Sequence, residues 1–390
     1  MRYVDFGRTG AKVSRLGMGC MRLPSSVGKD GKTVYDEDKG IALIWRAMEL
    51  GVNYFDTAPY YCDKQSELIL GKALKGGSGH PVRREKIYLS TKNPIENDSG
   101  DDFEKRLESS LKKLDTPYID FYHFWGISLK TFNEKIKAKD GPFERAKKLK
   151  QQGVIRHISF SFHDSDAREK EGDHLVEILK HGEGVLESLL CQYNIMDRNK
   201  EKGIALAHEM GLGTVVMGPV GGGRLGAPSK VILDMLPGKV QSSAELALRF
   251  VLANANVNIA LSGVSTIEQL EENARVTDNS TPLSAAELGR IEAMMKENER
   301  LAGLYCTGCK YCMPCPAGIN IPEIFKIMNY HRVYQLTDYA RKNYSEIGKT
   351  PWMKFENALA CTECGECEKK CPQGIPVREQ LKETHKTLAK

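Results

Sequence analysis

Two runs of cysteines near the end of the chain limit its possible folds more than any other feature. Eight of the eleven cysteines lie between Cys306 and Cys371. Each run, CTGCKYCMPCP or CTECGECEKKCP, has three cysteines at successive two-residue gaps and a fourth directly before a proline. Three thiolates at this spacing let one short loop surround a cubane, and the fourth commonly binds the other cluster of a pair. The pattern therefore predicts two [4Fe–4S] clusters.

Exchange of the fourth ligand between the runs divides the eight thiols into two sets. One cluster would use Cys306, Cys309, Cys312 and Cys371, and the other Cys361, Cys364, Cys367 and Cys315. The last gap of the first run is two residues, whereas that of the second is three. Zinc is the alternative, but zinc prefers two separated C-x2-C pairs that supply four ligands in all. Because each run supplies four thiols by itself, the count favours iron–sulfur clusters.

Before the cysteines, the chain alternates short β-rich runs with amphipathic helical segments. The predicted strands are Arg15–Cys20, Asn53–Asp56, Lys86–Lys92, Tyr118–Phe124, Ile155–Ser161, Glu187–Gln192, Gly213–Met217 and Val257–Leu261. The helical segments include Asp36–Leu50, Asp102–Leu114, Phe143–Gln152, Arg198–Met210 and Ser243–Asn254. A helix after each strand is typical of right-handed βαβ units and a parallel sheet.

Eight such units favour a closed (β/α)8 TIM barrel over an open, doubly wound sheet. No G-x-G-x-x-G follows the first strand, which argues against a Rossmann-type sheet. We expect the barrel over residues 1–283, a connecting helix over 284–299 and a small, mainly helical, ferredoxin-like [4Fe–4S] domain over 300–390. The loops Gly126–Asp140 and Pro219–Lys230 look enlarged, and loops after barrel strands form the active-site face.

Composition narrows the function classes. The net charge of +5 is modest for 390 residues and no basic tract stands out, so nucleic-acid binding gets no support. The first residues lack the apolar core of a signal peptide, and no apolar stretch approaches the ~18 residues of a membrane span. We therefore expect a cytoplasmic protein without membrane insertion, where structural disulfides are rare.

Three side chains of different chemistry lie at neighbouring strand ends. Asp56 ends the second strand in NYFDTAPYY, Tyr61 follows it by five residues, and Lys92 ends the third strand. Lys92 would lower the pKa of the Tyr61 phenol while Asp56 holds the ammonium, so that Tyr61 can protonate a carbonyl oxygen. The alternative is that Asp56 and Lys92 form a salt bridge at the barrel rim.

The chain resembles the aldo-keto reductases, and specifically their ferredoxin-fused bacterial and archaeal branch. The resemblance rests on FGRTGAKVSRLGMG, NYFDTAPYY, STK, YIDFYHF, IRHISFSFHD, CQYN, VMGPVGGGRL and GVSTIEQLEEN, which occur in that order. It implies that Asp56, Tyr61 and Lys92 are three members of the family's catalytic tetrad. The fourth member, a histidine, would stand five residues after Asp120, where this chain has Trp125. His123 lies two residues earlier on the same strand face and could partly substitute, and His163 in SFHD is a second imidazole near the cofactor.

The resemblance also implies positions that bind a nicotinamide cofactor. Ser161 and Gln192 would hold its carboxamide, and Met217, next to Gly218, replaces the aromatic residue that usually stacks on its ring. Backbone N–H groups of SGVSTIEQLEEN would bind phosphate. Gly263, Ser265 and Gln269 lie in this segment, and Asn273, with Glu272, fits the positions that contact the adenine. Gly263, Val264 and Gln269 stand where NADP-preferring relatives carry lysine, serine and arginine, which gives NADPH preference no support.

Two kinds of redox centre in one chain suggest an iron–sulfur oxidoreductase acting on a small organic substrate. A nicotinamide delivers two electrons as hydride, whereas a [4Fe–4S] cluster accepts one at a time, and flavin is the usual intermediary. We expect NAD(P)H in the barrel, and a flavin-dependent reductase is an alternative. A second alternative is an electron carrier that docks a ferredoxin or other redox partner and whose barrel is catalytically silent. A third alternative is that the clusters are purely structural.

Overall fold

The structure is a computed structural model, and it describes most of the chain. The described residues are 1–28, 33–77, 79–162, 171–182, 184–221, 225, 229–279, 281–306, 308, 310–371 and 374–389. The chain divides into two compact units, one of Met1–Gly222 with Ala247–Pro282 and the other of Gly223–Leu246 with Leu283–Lys390. Among the described residues, no helix combines the length and apolar character needed to cross a membrane.

Twelve strands lie in the described part of the chain. They are β1 (Tyr3–Asp5), β2 (Lys12–Ser14), β3 (Leu16–Gly19), β4 (Ser25–Val27), β5 (Thr33–Tyr35), β6 (Tyr54–Asp56), β7 (Tyr88–Pro94), β8 (Ile119–Ile127), β9 (Ile155–Phe162), β10 (Ser188–Gln192), β11 (Gly213–Met217) and β12 (Ile259–Ser262). The eight from β3 and β6 to β12 form a closed parallel barrel. This confirms the predicted (β/α)8 barrel and each of its predicted strands.

Helices lie between the barrel strands and make up most of the second unit. They are α1 (Glu37–Glu49), α2 (Ser66–Leu74), α3 (Gly100–Leu114), α4 (Leu129–Thr131), α5 (Pro142–Gln151), α6 (Glu171–His181), α7 (Glu201–Glu209), α8 (Lys230–Leu233), α9 (Ser243–Ala253), α10 (Ile267–Asn279), α11 (Ala285–Tyr305), α12 (Ile321–Arg332), α13 (Thr337–Ser345), α14 (Glu366–Lys370) and α15 (Val377–Leu388). Side-chain caps fix several starts, as where Ser99 accepts a hydrogen bond from the backbone N–H of Asp102.

The amino-terminal end of the barrel is closed by the hairpin of β1 and β2, which the strand pattern did not predict. Phe6, between these strands, is fully buried and packs edge-on against Phe121 with ring centroids 5.0 Å apart. Its ring comes so near Gly213 that a Cβ there would lie 2.5 Å away, so only glycine fits. Apolar side chains thus fill the floor of the barrel.

Two predicted loops have different outcomes. In the segment Gly126–Asp140, β8 extends to Ile127 and is followed by α4 and a π-helical turn over Phe132–Ile136, so the segment is largely regular. Most of the Gly-rich part of Pro219–Lys230 lies outside the described residues.

Candidate active site and cluster cavity

Asp56 and Lys92 form a buried ion pair at the carboxyl end of the barrel strands. Lys92 Nζ donates to Asp56 Oδ1 at 2.5 Å and to the carbonyl oxygen of Thr57 at 2.7 Å. Ser90 Oγ donates to the other carboxylate oxygen of Asp56 at 2.7 Å. Both charged side chains are at most 2% exposed. A salt bridge at the barrel rim would be solvated, whereas these two charges are buried. Burial of an ion pair carries a large desolvation cost, so this pair differs from the rim salt bridge considered as the alternative.

Tyr61 lies beside this pair and is half-buried. The Lys92 ammonium is 4.7 Å from the centroid of the Tyr61 ring. Burial raises the pKa of the Tyr61 phenol, Lys92 lowers it and Asp56 raises it, so the net shift is upward. Lys92 therefore acts on the phenol in the expected direction, but burial outweighs it. The pKa of Lys92 itself is raised, because attraction to Asp56 and Tyr61 exceeds the effect of burial, so the amine keeps its proton.

Trp125 occupies the place beside Tyr61 where the family resemblance leads one to expect histidine. The two rings meet edge to face at 90°, with centroids 5.8 Å apart. A register shift between Phe124 and Ile127 marks a bulge in β8, in which Gly126 takes a φ of +59°. Gly126 N–H donates to Ser161 Oγ at 2.7 Å, which fixes the bulge. Bulges near active sites commonly re-aim a side chain, here that of Trp125.

His123 pairs in register with Lys92 but is fully buried beneath the site. An interaction with the backbone of Phe160 in β9 favours the protonated form of this imidazole. Burial, and then the charge of Lys92, lower the pKa of His123 to about 3. The imidazole is therefore neutral near pH 7, with one N–H donor and one acceptor nitrogen.

The residues expected at the nicotinamide lie at the same end of the barrel. Ser161, nearly buried in β9, already accepts the Gly126 hydrogen bond, and Gln192 Nε2 donates to Asp197 Oδ2 at 2.5 Å. Met217 is half-buried at the end of β11 and packs on the barrel core. The carbonyl oxygen of Gly218 accepts from Asn194 Nδ2 at 3.0 Å. His163 lies outside the described residues.

The expected phosphate-binding segment connects β12 to α10. Asn273 is buried and donates to Ser262 Oγ at 2.8 Å, whereas Ser265 N–H donates to the Gln269 side-chain oxygen at 3.1 Å. The side chain of Arg22 passes beside Gly263, with its Cδ 3.5 Å from where a Cβ on that glycine would lie. The structure thus brings an arginine to a segment in which the sequence itself offers no cation. Its position in the loop after the first barrel strand gave no signal, because the contact is between distant parts of the chain.

The cysteines of both runs surround one cavity of about 250 Å³ in the second unit. All four thiols assigned to one cluster line it, and so does one thiol of the other set. The lining cysteines are Cys315, Cys361, Cys364, Cys367 and Cys312. The two cysteine runs therefore meet at one cavity, and cysteine thiolates are the ligands that hold iron–sulfur clusters.

The other thiols are less completely described. Cys306 and Cys371 are partly exposed, and Cys309 lies outside the described residues. Within the described ranges, no group of three or more His, Cys, Asp or Glu side chains is close enough to hold a single metal ion.

Arg378 braces the second cysteine run and was not foreseen. Its guanidinium donates two hydrogen bonds to Glu368 Oε2, at 2.7 and 3.0 Å, and its backbone N–H donates to Oε1. Together with Lys370 it lines the cavity, so cationic groups stand beside a site that would hold an anionic cluster. The residue lies beyond the cysteine motif, so the spacing of the thiols did not identify it.

Comparisons with known proteins match two parts of the chain to known families. The chain matches the aldo/keto reductase family over residues 15–296 and a 4Fe-4S dicluster domain over residues 305–375. It is 28% identical to L-galactose dehydrogenase of Arabidopsis thaliana, over 76% of this chain and 94% of that protein. It is 27% identical to the uncharacterized oxidoreductase YqkF of Bacillus subtilis, over 76% of this chain and 98% of that protein.

A solved structure shares the same fold. The holo form of aldo-keto reductase AKR11C1 from Bacillus halodurans superposes with a TM-score of 0.61 at 31% identity. The match covers 75% of this chain and 96% of that one. With its eight-stranded barrel, its buried Asp56–Lys92 pair beside Tyr61 and its C-terminal cysteine runs, the chain belongs to the aldo/keto reductase family and carries a 4Fe-4S dicluster domain.

Proposed function

We propose that the barrel binds NAD(P)H and reduces the carbonyl group or activated double bond of a small organic substrate, with Tyr61 as the proton donor. The observation that carries this proposal is the buried Lys92, which is fixed by Asp56 and faces the Tyr61 ring at 4.7 Å. The bound nicotinamide would supply hydride to the substrate carbon. Tyr61 would give its proton to the oxygen, and the charge of Lys92 would stabilise the phenolate that remains.

We further propose that the second unit holds two [4Fe–4S] clusters on the two thiol sets given by the cysteine spacing. Cys315, Cys361, Cys364 and Cys367 would hold one of them at the cavity, and Arg378 would keep their loop in place. When bound, such clusters accept and release single electrons. The clusters would thus exchange electrons with a ferredoxin or another one-electron partner.

The barrel half of this proposal is tested by Tyr61→Phe in the full chain, purified and reconstituted without oxygen. Oxidation of NADH and NADPH would be followed with a panel of aldehydes and quinones. We expect the variant to lower kcat by a factor of about 10²–10⁴, because general acid catalysis contributes that much, and to leave the Kd of the nucleotide unchanged. Tyr3→Phe is the matched control, since Tyr3 lies in the hairpin at the opposite end of the barrel and donates to Gly51.

An electron carrier with a silent barrel is the second candidate, and the contact of Trp125 with Tyr61 favours it. An indole only donates hydrogen bonds, so Trp125 cannot accept a proton as an imidazole can. Equal rates for wild type and Tyr61→Phe would show that the barrel site does not take part in the reaction, and the electron carrier would remain as the function. A flavin absorbance band in the anaerobically purified protein would overturn the nicotinamide-only version.

A further inference from the structure

Two aromatic side chains form a surface next to the phenol of Tyr61. Tyr60 and Trp125, hereafter the aromatic wall, have ring centroids 5.4 Å apart at an angle of 42°. Trp125 is half-buried and Tyr60 is 48% exposed, so the wall extends from the site towards solvent. Neither residue has a role in the family pattern that the sequence suggested, in which the place of Trp125 belongs to histidine.

Hydrogen bonds restrain the aromatic wall on both sides. Tyr60 Oη donates to Glu96 Oε1 at 2.8 Å, and Arg106 donates to the other oxygen of Glu96 at 2.8 Å. The base of Trp125 is fixed by the neighbouring hydrogen bond from Gly126 to Ser161. Aromatic rings that are already ordered lose little conformational entropy when a ligand binds against them. The wall is therefore prepared to receive a ring or another flat group.

The chemistry of the wall differs from that of the imidazole it replaces. A histidine beside the phenol would offer polar nitrogens to a carbonyl oxygen, whereas the wall offers mainly π surfaces. Because Trp125 touches the Tyr61 ring, a carbonyl that reaches the Tyr61 hydroxyl brings the group attached to it close to the wall. Flat conjugated groups gain from stacking or edge contacts there, and puckered saturated groups gain less.

We propose that the aromatic wall makes the site selective for substrates whose carbonyl is conjugated to a flat ring or double bond. This inference rests on the proposed reduction at Tyr61 and adds the substrate class to it. Tyr60 and Trp125 are the residues that determine specificity, while Tyr61 remains the proton donor.

The test compares benzaldehyde with cyclohexanecarboxaldehyde, which have rings of the same size but differ in flatness. Their Kd values would be measured by ligand-observed NMR on the reconstituted full chain, with NAD⁺ and NADP⁺ both present so that no turnover occurs. We expect wild type to bind benzaldehyde more tightly than the saturated aldehyde. Trp125→Leu should weaken benzaldehyde binding about three- to tenfold, the usual worth of an aromatic pair, and change the saturated aldehyde less than about twofold.

Two further variants make the result decisive. Tyr60→Leu tests the same wall at an exposed position, where folding is at little risk, and should reduce the preference in the same direction. Trp352→Leu removes a tryptophan that is 76% exposed in the second unit and should change neither Kd. Equal weakening of both aldehydes by Trp125→Leu and Tyr60→Leu, or no preference in wild type, would overturn the proposal.

The outcome separates this inference from the proposed function. If wild type binds benzaldehyde selectively but turns over neither aldehyde with NAD(P)H, the proposed role of the aromatic wall stands and the proposed carbonyl reduction is wrong. If wild type turns over both aldehydes without a preference between them, the proposed reductase activity stands and the aromatic wall does not determine its specificity.

Discussion

At the scale of single residues, burial determines the pKa values of the site's side chains as much as residue type does. His123 stands in register with Lys92 on the neighbouring strand, yet burial and the nearby ammonium lower its pKa to about 3. Tyr61 is half-buried beside the same ammonium, which lowers the pKa of the phenol while burial raises it. The same cation thus opposes protonation of one group and supports deprotonation of the other.

The buried neutral imidazole makes the barrel sensitive to acid. An unfolded histidine gains a proton below a pKa of about 6.5, whereas folded His123 stays neutral until about pH 3, so stability falls as the pH drops through that window. Between pH 7 and pH 5 we expect wild type to lose about 2 kcal/mol more unfolding free energy than His123→Leu. Urea unfolding would measure this in a Trp352→Phe background, in which both remaining tryptophans, Trp45 and Trp125, report on the barrel unit. Parallel pH curves for the two proteins would show that His123 is not the group concerned.

The sequence indicated some members of the site and concealed others. Asp56 and Lys92 end strands in the sequence, and parallel strands bring their carboxyl ends together, so their meeting could be predicted. Ser90 could not be identified, because a serine two residues before a lysine is an ordinary strand residue unless a carboxylate lies within reach of its hydroxyl. The contact of Arg22 with Gly263 joins segments more than two hundred residues apart, and no local pattern encodes such a contact.

At the scale of elements, the bulge in β8 links Trp125 to the expected cofactor side of the site. Gly126 has a φ of +59°, its N–H bonds to Ser161, and there is open space where a Cβ would stand. The sequence predicted a strand that ends at Phe124 and a loop from Gly126, whereas β8 continues to Ile127. The barrel strands were all predicted, but the short hairpins were missed, since strands of three residues give too little periodicity to detect.

Gly126→Ala tests the bulge. Alanine in this left-handed conformation should cost about 1–2 kcal/mol of unfolding free energy, and relief of that strain would turn Trp125 away from Tyr61. We expect weaker binding of benzaldehyde together with the stability loss, as measured by NMR titration and urea unfolding. Gly153→Ala is the matched control, because Gly153 has a φ of +77° and the same open space but lies in a remote turn. Loss of benzaldehyde binding in both variants would mean that destabilisation alone, and not the bulge, is responsible.

At the scale of the whole molecule, the two units depend on different forces. The barrel is held by a large apolar core, as long chains with regular βα units can be. The cysteine runs lie in the second unit, where helices α12, α13 and α15 surround a much smaller apolar interior. Cysteine spacing and strand alternation predicted both kinds of unit. Inclusion of residues Gly223–Leu246 in the second unit could not be foreseen, because that segment follows a barrel strand in the sequence.

Removal of iron should therefore affect the units unequally. Anaerobic chelation would take away the folding free energy that metal binding supplies to the second unit. Hydrogen exchange should then show loss of protection in α12 and α15, with β6, β7 and β8 unchanged. Cys364→Ser, which removes one ligand at the cavity, should reproduce part of this effect. Equal protection of α12 and α15 with and without iron would show that these helices fold independently of the metal.

The packing of Phe6 in the floor of the barrel has a consequence for the order in which ligands bind and leave. Among the described residues, packed apolar side chains close the amino-terminal end of the barrel, so we expect molecules to reach Lys92 from the carboxyl end of the strands. A cofactor and a substrate that share this entrance cannot exchange independently. The ligand that lies deeper in the site can dissociate only after the outer one has left. Steady-state kinetics would then show a compulsory binding order, in which the inner ligand binds first and dissociates last. One phenylalanine in a hairpin would be its structural cause.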